Sequence, residues 1–206
     1  AIAAGQIAPA RAAAEHLGLP VLDLIPLDGD GSGHIRIEGR ATDRPYKSGL
    51  TEPDEVAAVL MTSGTTLGRK FVPRRHSHLV LRADDYAQML NFTPAERGAN
   101  LMQLHHGAGI GAITYAPFAG GSVAHFPGKD LPHIFRCLEQ LQPTHISGPY
   151  TAFHAILMQQ DRLRDSIRAI RPSLRMLRTG SGHLDSHVAE QLESLFEIPV
   201  IQAYSS

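Results

Sequence analysis

Ser122 to Ser147 reads SVAHFPGKDLPHIFRCLEQLQPTHIS, and three patterns follow one another within it. SVAHF is short and rich in residues that suit a strand. From Asp130, a natural N-cap, residues Leu131, Ile134, Phe135, Leu138 and Leu141 recur at helical spacing, with Pro132 tolerated in the first turn. THIS then reads as another short strand. A strand, a helix and a strand in succession are the repeating unit of a parallel sheet.

Working outward, the same alternation continues in both directions. Upstream, VAAVLM (56 to 61) is a continuous apolar run read as a buried strand. LVLRADDYAQML (79 to 90) carries Leu79, Ala83, Tyr86 and Leu90 at helical spacing, and NLMQL (100 to 104) reads as a strand before the glycine-rich GAGIGAITYAPFAGG. Downstream come the helix PYTAFHAILMQQ, the strand LRMLRT, the helix LDSHVAEQLESLF capped by Asp185, and the final strand IPVIQAY. The fold class expected is α/β, a largely parallel sheet covered by helices on both faces, with ligands held beyond the carboxyl ends of the strands.

Residues 1 to 50 are less regular. PARAAAEHLGLP predicts a short helix closed near Gly18 and Pro20, VLDLIPL a strand, and the passage from Asp28 to Pro53 is rich in loops. Two parts are expected: a peripheral segment, 1–50, linking to a missing upstream part, and an α/β nucleotide-binding subdomain, 51–206, incomplete at its C-terminus. A start without methionine and a stop just after an apolar run suggest a cut piece.

Of the 206 residues, 43% are hydrophobic, enough for one sizeable core. With 19 basic and 20 acidic side chains the net charge is -1, which disfavours nucleic acid or an anionic membrane as partner and makes any anion binding local. No apolar run is long enough to span a bilayer. The single cysteine, Cys137, and the lack of a leader-like opening point to a reducing, cytoplasmic setting. Twelve histidines include His76 with His78, His105 with His106, and His183 with His187, but no H-E-x-x-H or cysteine cluster accompanies them, so no protein-bound metal site is expected.

The tract TSGTTLGRK, Thr62 to Lys70, is where chemistry is expected. Backbone N–H groups in a turn, hydroxyl donors and one lysine together suit a phosphate. Read as following a buried strand and preceding a helix, the tract lies at the carboxyl edge of the sheet. It is no Walker A loop, since Arg69 precedes and Phe71 follows Lys70 where that motif needs glycine and a hydroxyl residue.

The tract resembles the phosphate loop of the adenylate-forming superfamily, the acyl- and aryl-CoA synthetases, peptide-synthetase adenylation domains and firefly luciferase. That loop reads approximately T-S-G-S/T-T-G-x-P-K-G-V, then H-x-N-L; the matching residues are Thr62, Ser63, Gly64, Thr65, Thr66, Lys70, Val72, His76 and Leu79. Further likenesses follow in the family's order: LHHGAGIG at His106 and Gly109, FAGGSVAHF, PTHISGPYTAFHAIL at Pro149 and Thr151, LRMLRTGSGHL at Gly180, Ser181 and Gly182, and PVIQAYSS at Tyr204.

The resemblance implies an AMP-forming acid–thiol ligase. A carboxylate attacks the α-phosphate of ATP, pyrophosphate leaves, and a thiol, coenzyme A or a carrier-protein arm, takes the acyl group. On that reading Thr62, Ser63, Gly64, Thr65, Thr66 and Lys70 hold the β- and γ-phosphates, Tyr204 stacks on adenine, Gly180, Ser181 and Gly182 line the nucleotide and acyl pocket, and His106 borders the acyl or thiol channel. It also implies Mg²⁺, its main ligand and a catalytic lysine lying outside this chain, so the piece alone is expected not to turn over. Leu67, Arg69, Phe71 and Ser205 depart from the family pattern. A carrier-protein adenylation domain, a non-catalytic nucleotide-binding relative and a phosphotransferase of unrelated fold stay open as alternatives.

Overall fold

The computed structural model describes residues 2–3, 8–27, 35–39, 52–61, 70–126, 128–180 and 182–203. The chain divides into two compact units, Ala1–Leu50 and Thr51–Ser206. In the first, β1 (Ile2–Ala3) lies parallel to β2 (Leu22–Pro26), which pairs antiparallel with β3 (Ile35–Gly39). Helix α1 (Ala8–His16) comes between β1 and β2, and Gly18 beyond it takes a positive φ. Arg11 on α1 ion-pairs with Asp23 on β2. The expected helix and strand are present, whereas β1 and β3 had no periodic signature; every residue of β3 is exposed.

The second unit is built on a five-stranded parallel sheet, β10-β9-β8-β6-β7, comprising β6 (Arg97–Asn100), β7 (Ser122–His125), β8 (His145–Pro149), β9 (Met176–Gly180) and β10 (Val200–Ala203). The helices in chain order are α2 (His76–Met89), α3 (Gly107–Phe118), α4 (Leu131–Leu141), α5 (Tyr150–Met158), α6 (Gln160–Ile170) and α7 (Ser186–Phe196). Helices follow strands because successive parallel strands need a crossover.

Strand register gives the two faces of the sheet opposite characters. Ala99, Ile146 and Leu177 are aligned neighbours on β6, β8 and β9, and all three join a core with α4, α5, α6 and α7. Phe135, Phe153 and Phe196 are fully buried there, each worth about 1.5–3 kcal/mol of transfer free energy. One pleat away the aligned row is polar: His125, Asn100, Ser147 and Arg178. Alternation sends that row to the opposite face, where Arg178 meets Tyr86 of α2 and Tyr115 of α3.

Helix α4 forms as its spacing predicts. Leu131, Ile134, Phe135 and Leu138 are buried, and the Asp130 carboxylate accepts a hydrogen bond from the His133 N–H at 3.2 Å. Asp185 occupies the N-cap position of α7 with extended dihedrals, but its side chain makes no capping hydrogen bond.

Two expectations are corrected. VAAVLM forms β4 (Val56–Met61), yet it is not a buried strand of the parallel sheet: it pairs antiparallel with β5 (Phe71–Arg75) in a separate two-stranded sheet, with Val56, Val59 and Met61 more than half exposed. TSGTTLGRK therefore links two strands of a hairpin and does not lead directly into a helix. Residues 62–70 are too few for the crossover a parallel partner demands, so the chain returns antiparallel. NLMQL is not the third strand either. The strand is Arg97–Asn100, and the Asn100 side chain ends it by bonding the Met102 N–H at 2.8 Å and the Met102 carbonyl at 3.4 Å.

Candidate functional site

The described residues locate both feet of the Thr62–Lys70 tract. Met61 and Phe71 are ladder partners, so the tract leaves and rejoins the hairpin at one end, with Lys70 exposed beside it. Leu60 of that end reaches the start of α3: a Cβ built on Gly107 would lie 3.1 Å from Leu60 Cδ1. The start of α3 in turn overlies the carboxyl edge of the parallel sheet. A Cβ on Gly180 would stand 3.8 Å from the Ala108 Cβ and 3.6 Å from the Ala203 carbonyl oxygen. Hairpin end, α3 N-terminus, Gly180 and the residue before Tyr204 thus form one contiguous rim.

Why α3 sits so close follows from its glycines. A Cβ on Gly109 would run into the backbone carbonyl of Gln103, so only glycine allows the 103–106 turn to fold against the helix. His106 is the N-cap residue, extended at φ -97°, and its carbonyl accepts from the N–H groups of Gly109 and Ile110. Its ring lies 4.1 Å from that of His105. Although the side chain stays exposed, desolvation of its inner edge and the facing His105 both lower its pKa. The lowered pKa favours the neutral imidazole, which can donate or accept a hydrogen bond.

Gly182 carries a second steric requirement. A Cβ there would lie 2.6 Å from Tyr150 Cδ1, so the ring of Tyr150, first residue of α5, rests on bare backbone. A cavity of about 360 Å³ opens at the carboxyl ends of β6 and β8, lined by Leu101, Gln103, Lys129, Pro149, Thr151 and Ala155 among others. Pro149 and Thr151 thus line this cavity.

Of the expected site residues, Lys70, His106, Gly180 and Gly182 are placed as described; Thr62, Ser63, Gly64, Thr65, Thr66, Ser181 and Tyr204 lie outside the described residues. Among the described residues no group of three or more His, Cys, Asp or Glu side chains could hold a metal. The described residues thus hold no preformed multi-ligand metal site.

A cluster that the motifs did not single out lies below the rim. Arg178 is 3% exposed, with its guanidinium carbon 4.8 Å from the Tyr86 ring centroid and 5.5 Å from that of Tyr115. The two rings stack at 4.3 Å, and Arg82 Nε donates to the Tyr115 hydroxyl at 3.0 Å. Burial raises the Tyr115 pKa, against the opposing pull of Arg82 and Arg178. LRMLRT holds two arginines, Arg175 and Arg178, and only the strand alternation, once register is known, puts Arg178 on the face shared with Gly180.

A family model for "AMP-binding enzyme" matches residues 7–206, and the chain belongs to that family. It is 25% identical over 157 residues to the oxalate–CoA ligase of Saccharomyces cerevisiae, a match covering 76% of this chain and 28% of that protein. Among solved structures it resembles an anthranilate CoA ligase in complex with anthranoyl-AMP, with a TM-score of 0.67, 21% identity, and 79% and 31% of the two chains covered. It also resembles the O-succinylbenzoate coenzyme A synthetase of Bacillus subtilis in complex with AMP, with a TM-score of 0.63, 23% identity, and 75% and 30% covered. These structural likenesses are of fold. The chain spans about three tenths of the length of each of these proteins.

Proposed function

We propose that this chain is the nucleotide-binding part of an ATP-dependent acid–thiol ligase, which forms an acyl-adenylate and passes the acyl group to coenzyme A. The observation that carries this reading is the shared rim: the feet of a hydroxyl-rich tract, the α3 N-terminus and Gly180 meet at the carboxyl edge of a parallel sheet. In this reading Thr62, Ser63, Gly64, Thr65, Thr66 and Lys70 grip the β- and γ-phosphates of ATP. Gly180, Ser181 and Gly182 line the nucleotide and acid pocket, Tyr204 stacks on adenine, and His106 borders the acid or thiol path. Bound ATP supplies the electrophilic α-phosphate. Lys70 contributes by stabilising charge on departing pyrophosphate, an electrostatic role for a compact ammonium group. Residues 1–50 serve as a peripheral segment, the remaining catalytic groups come from parts of the ligase beyond this chain, and the chain alone does not turn over.

The test is carboxylate-dependent exchange of pyrophosphate into ATP by the full-length protein. Exchange is expected, and Lys70→Ala is expected to lower it about 100-fold, the scale set by removing one preorganised donor. Absence of exchange with every carboxylate offered would instead favour a non-catalytic relative, with Leu67, Arg69 and Phe71 as the departures to revert first.

A further inference from the structure

Among the described residues Arg178 is a charge without a counterion. Its Nε and Nη1 are wholly buried and make no hydrogen bond, and among the described residues no carboxylate pairs with it. The faces of Tyr86 and Tyr115 attract its charge, but they leave those N–H donors unmet. Arg82 lies 5.6 Å from the same Tyr86 ring, so a second guanidinium borders the aromatic stack. A buried ion normally costs too much to keep unless something compensates it.

The position of Arg178 indicates what could do so. It shares a sheet face with Gly180 and lies two residues below it, about 6.7 Å down the strand. Gly180 carries no side chain, and above it stand the flexible end of Met102, whose Cε lies 3.5 Å from a Cβ built there, and Ala108 at 3.8 Å. On the ligase reading, an acid held at this rim by its reacting carboxylate would reach the guanidinium along this face once the Met102 side chain turns aside.

We propose that Arg178 receives a second carboxylate at the far end of the acid substrate, making the substrate class a short dicarboxylic acid. The proposal rests on the ligase reading above. A carboxylate can accept two parallel N–H bonds from a guanidinium, which Tyr86 and Tyr115 hold in a dry setting where such pairs are strong. Arg178 is a specificity residue here and takes no part in bond making.

The experiment compares succinate and glutarate with butyrate and valerate in pyrophosphate exchange by the full-length protein and its Arg178→Leu and Arg178→Lys variants. The wild type is expected to prefer the diacids. Arg178→Leu is expected to reduce the glutarate-to-valerate ratio of kcat/KM about 100-fold, the scale of unpairing a buried charge, while Arg178→Lys retains part of it. Without ligand, Arg178→Leu is expected to melt no lower than the wild type, since it replaces an unpaired charge with apolar volume. A wild type that prefers the monoacids overturns the proposal whether or not the variant folds, as does a leucine variant that keeps the preference or melts well below the parent. If no acid supports exchange, the ligase reading fails separately: a glutarate-induced rise in Tm that vanishes in Arg178→Leu still upholds the anion site, and its absence removes the site too.

Discussion

Glu96 is the acid that Arg178 lacks, placed at the opposite end of the sheet. It is 4% exposed and holds together the amino ends of three strands: His145 Nδ1 lies 3.2 Å from its Oε2, the Thr144 hydroxyl donates to Oε2 at 2.5 Å, and Arg175 donates to Oε1 at 2.6 Å. Burial pushes the carboxyl pKa up, but His145, Thr144 and Arg175 together outweigh it and leave the pKa below its ordinary value of 4.5. A depressed carboxylate pKa stabilises the fold fully above the unfolded value, and this contribution fades as pH falls through the folded one. Glu96→Gln is therefore expected to flatten the loss of stability below about pH 4.5, read as urea midpoints from pH 7 to pH 3. Glu96→Ala at pH 7 is expected to cost about 2–3 kcal/mol, less than breaking a wholly buried pair because Arg175 is 41% exposed and regains water. An unchanged midpoint would mean that the network is slack. Neither this cluster nor Arg178 was legible in the sequence, because a single Glu or Arg in an apolar run declares its partners only once register is known. Lys70 and Gly180 could be proposed from the sequence because they stand within ordered local patterns.

At the scale of elements, the glycines that hid α3 from the sequence are also what the helix depends on. GAGIGAITYAPF scores poorly as a helix because glycine costs about 1 kcal/mol per interior position relative to alanine. Close approach compensates. Gly109 admits the Gln103 carbonyl, and Gly107 lets Leu60 of the hairpin come close to the helix start. Gly109→Ala would gain helix propensity yet is expected to destabilise the protein by about 1–3 kcal/mol, since overpacking against backbone cannot be relieved by a rotamer change. Thermal melting checks this, and a higher Tm would show that the 103–106 turn moves freely. The other element-scale differences have similarly local causes. Helix α6 is obscured in the sequence although Leu163, Ile167 and Ile170 are buried at helical spacing, because its outer face is heavily charged and it follows α5 without a breaker. The run VAAVLM could not say which partner it would pair with, since an apolar strand reads alike in either sheet.

For the molecule as a whole, the α/β class and parallel sheet were legible because alternation of periods is a long-range pattern that survives errors of a few residues at each boundary. The two faces of that sheet were not, since the polar row from His125 to Arg178 emerges only when four strands are aligned. With a net charge of -1, the chain has no general attraction for polyanions, so affinity for ATP has to come from the rim and must appear as stabilisation by mass action. At free ATP of about 100 times Kd the linkage adds about 2.7 kcal/mol. For a chain of 206 residues this is a rise in Tm of about 5–10 °C. Losing one charge-assisted contact in Lys70→Ala weakens binding about 20-fold, which cuts the shift to less than half at the same ATP concentration. Differential scanning calorimetry over a range of ATP concentrations measures both quantities. A Tm that ATP does not move, or one that moves equally in parent and variant, would place the phosphates somewhere other than at the end of the β4–β5 hairpin.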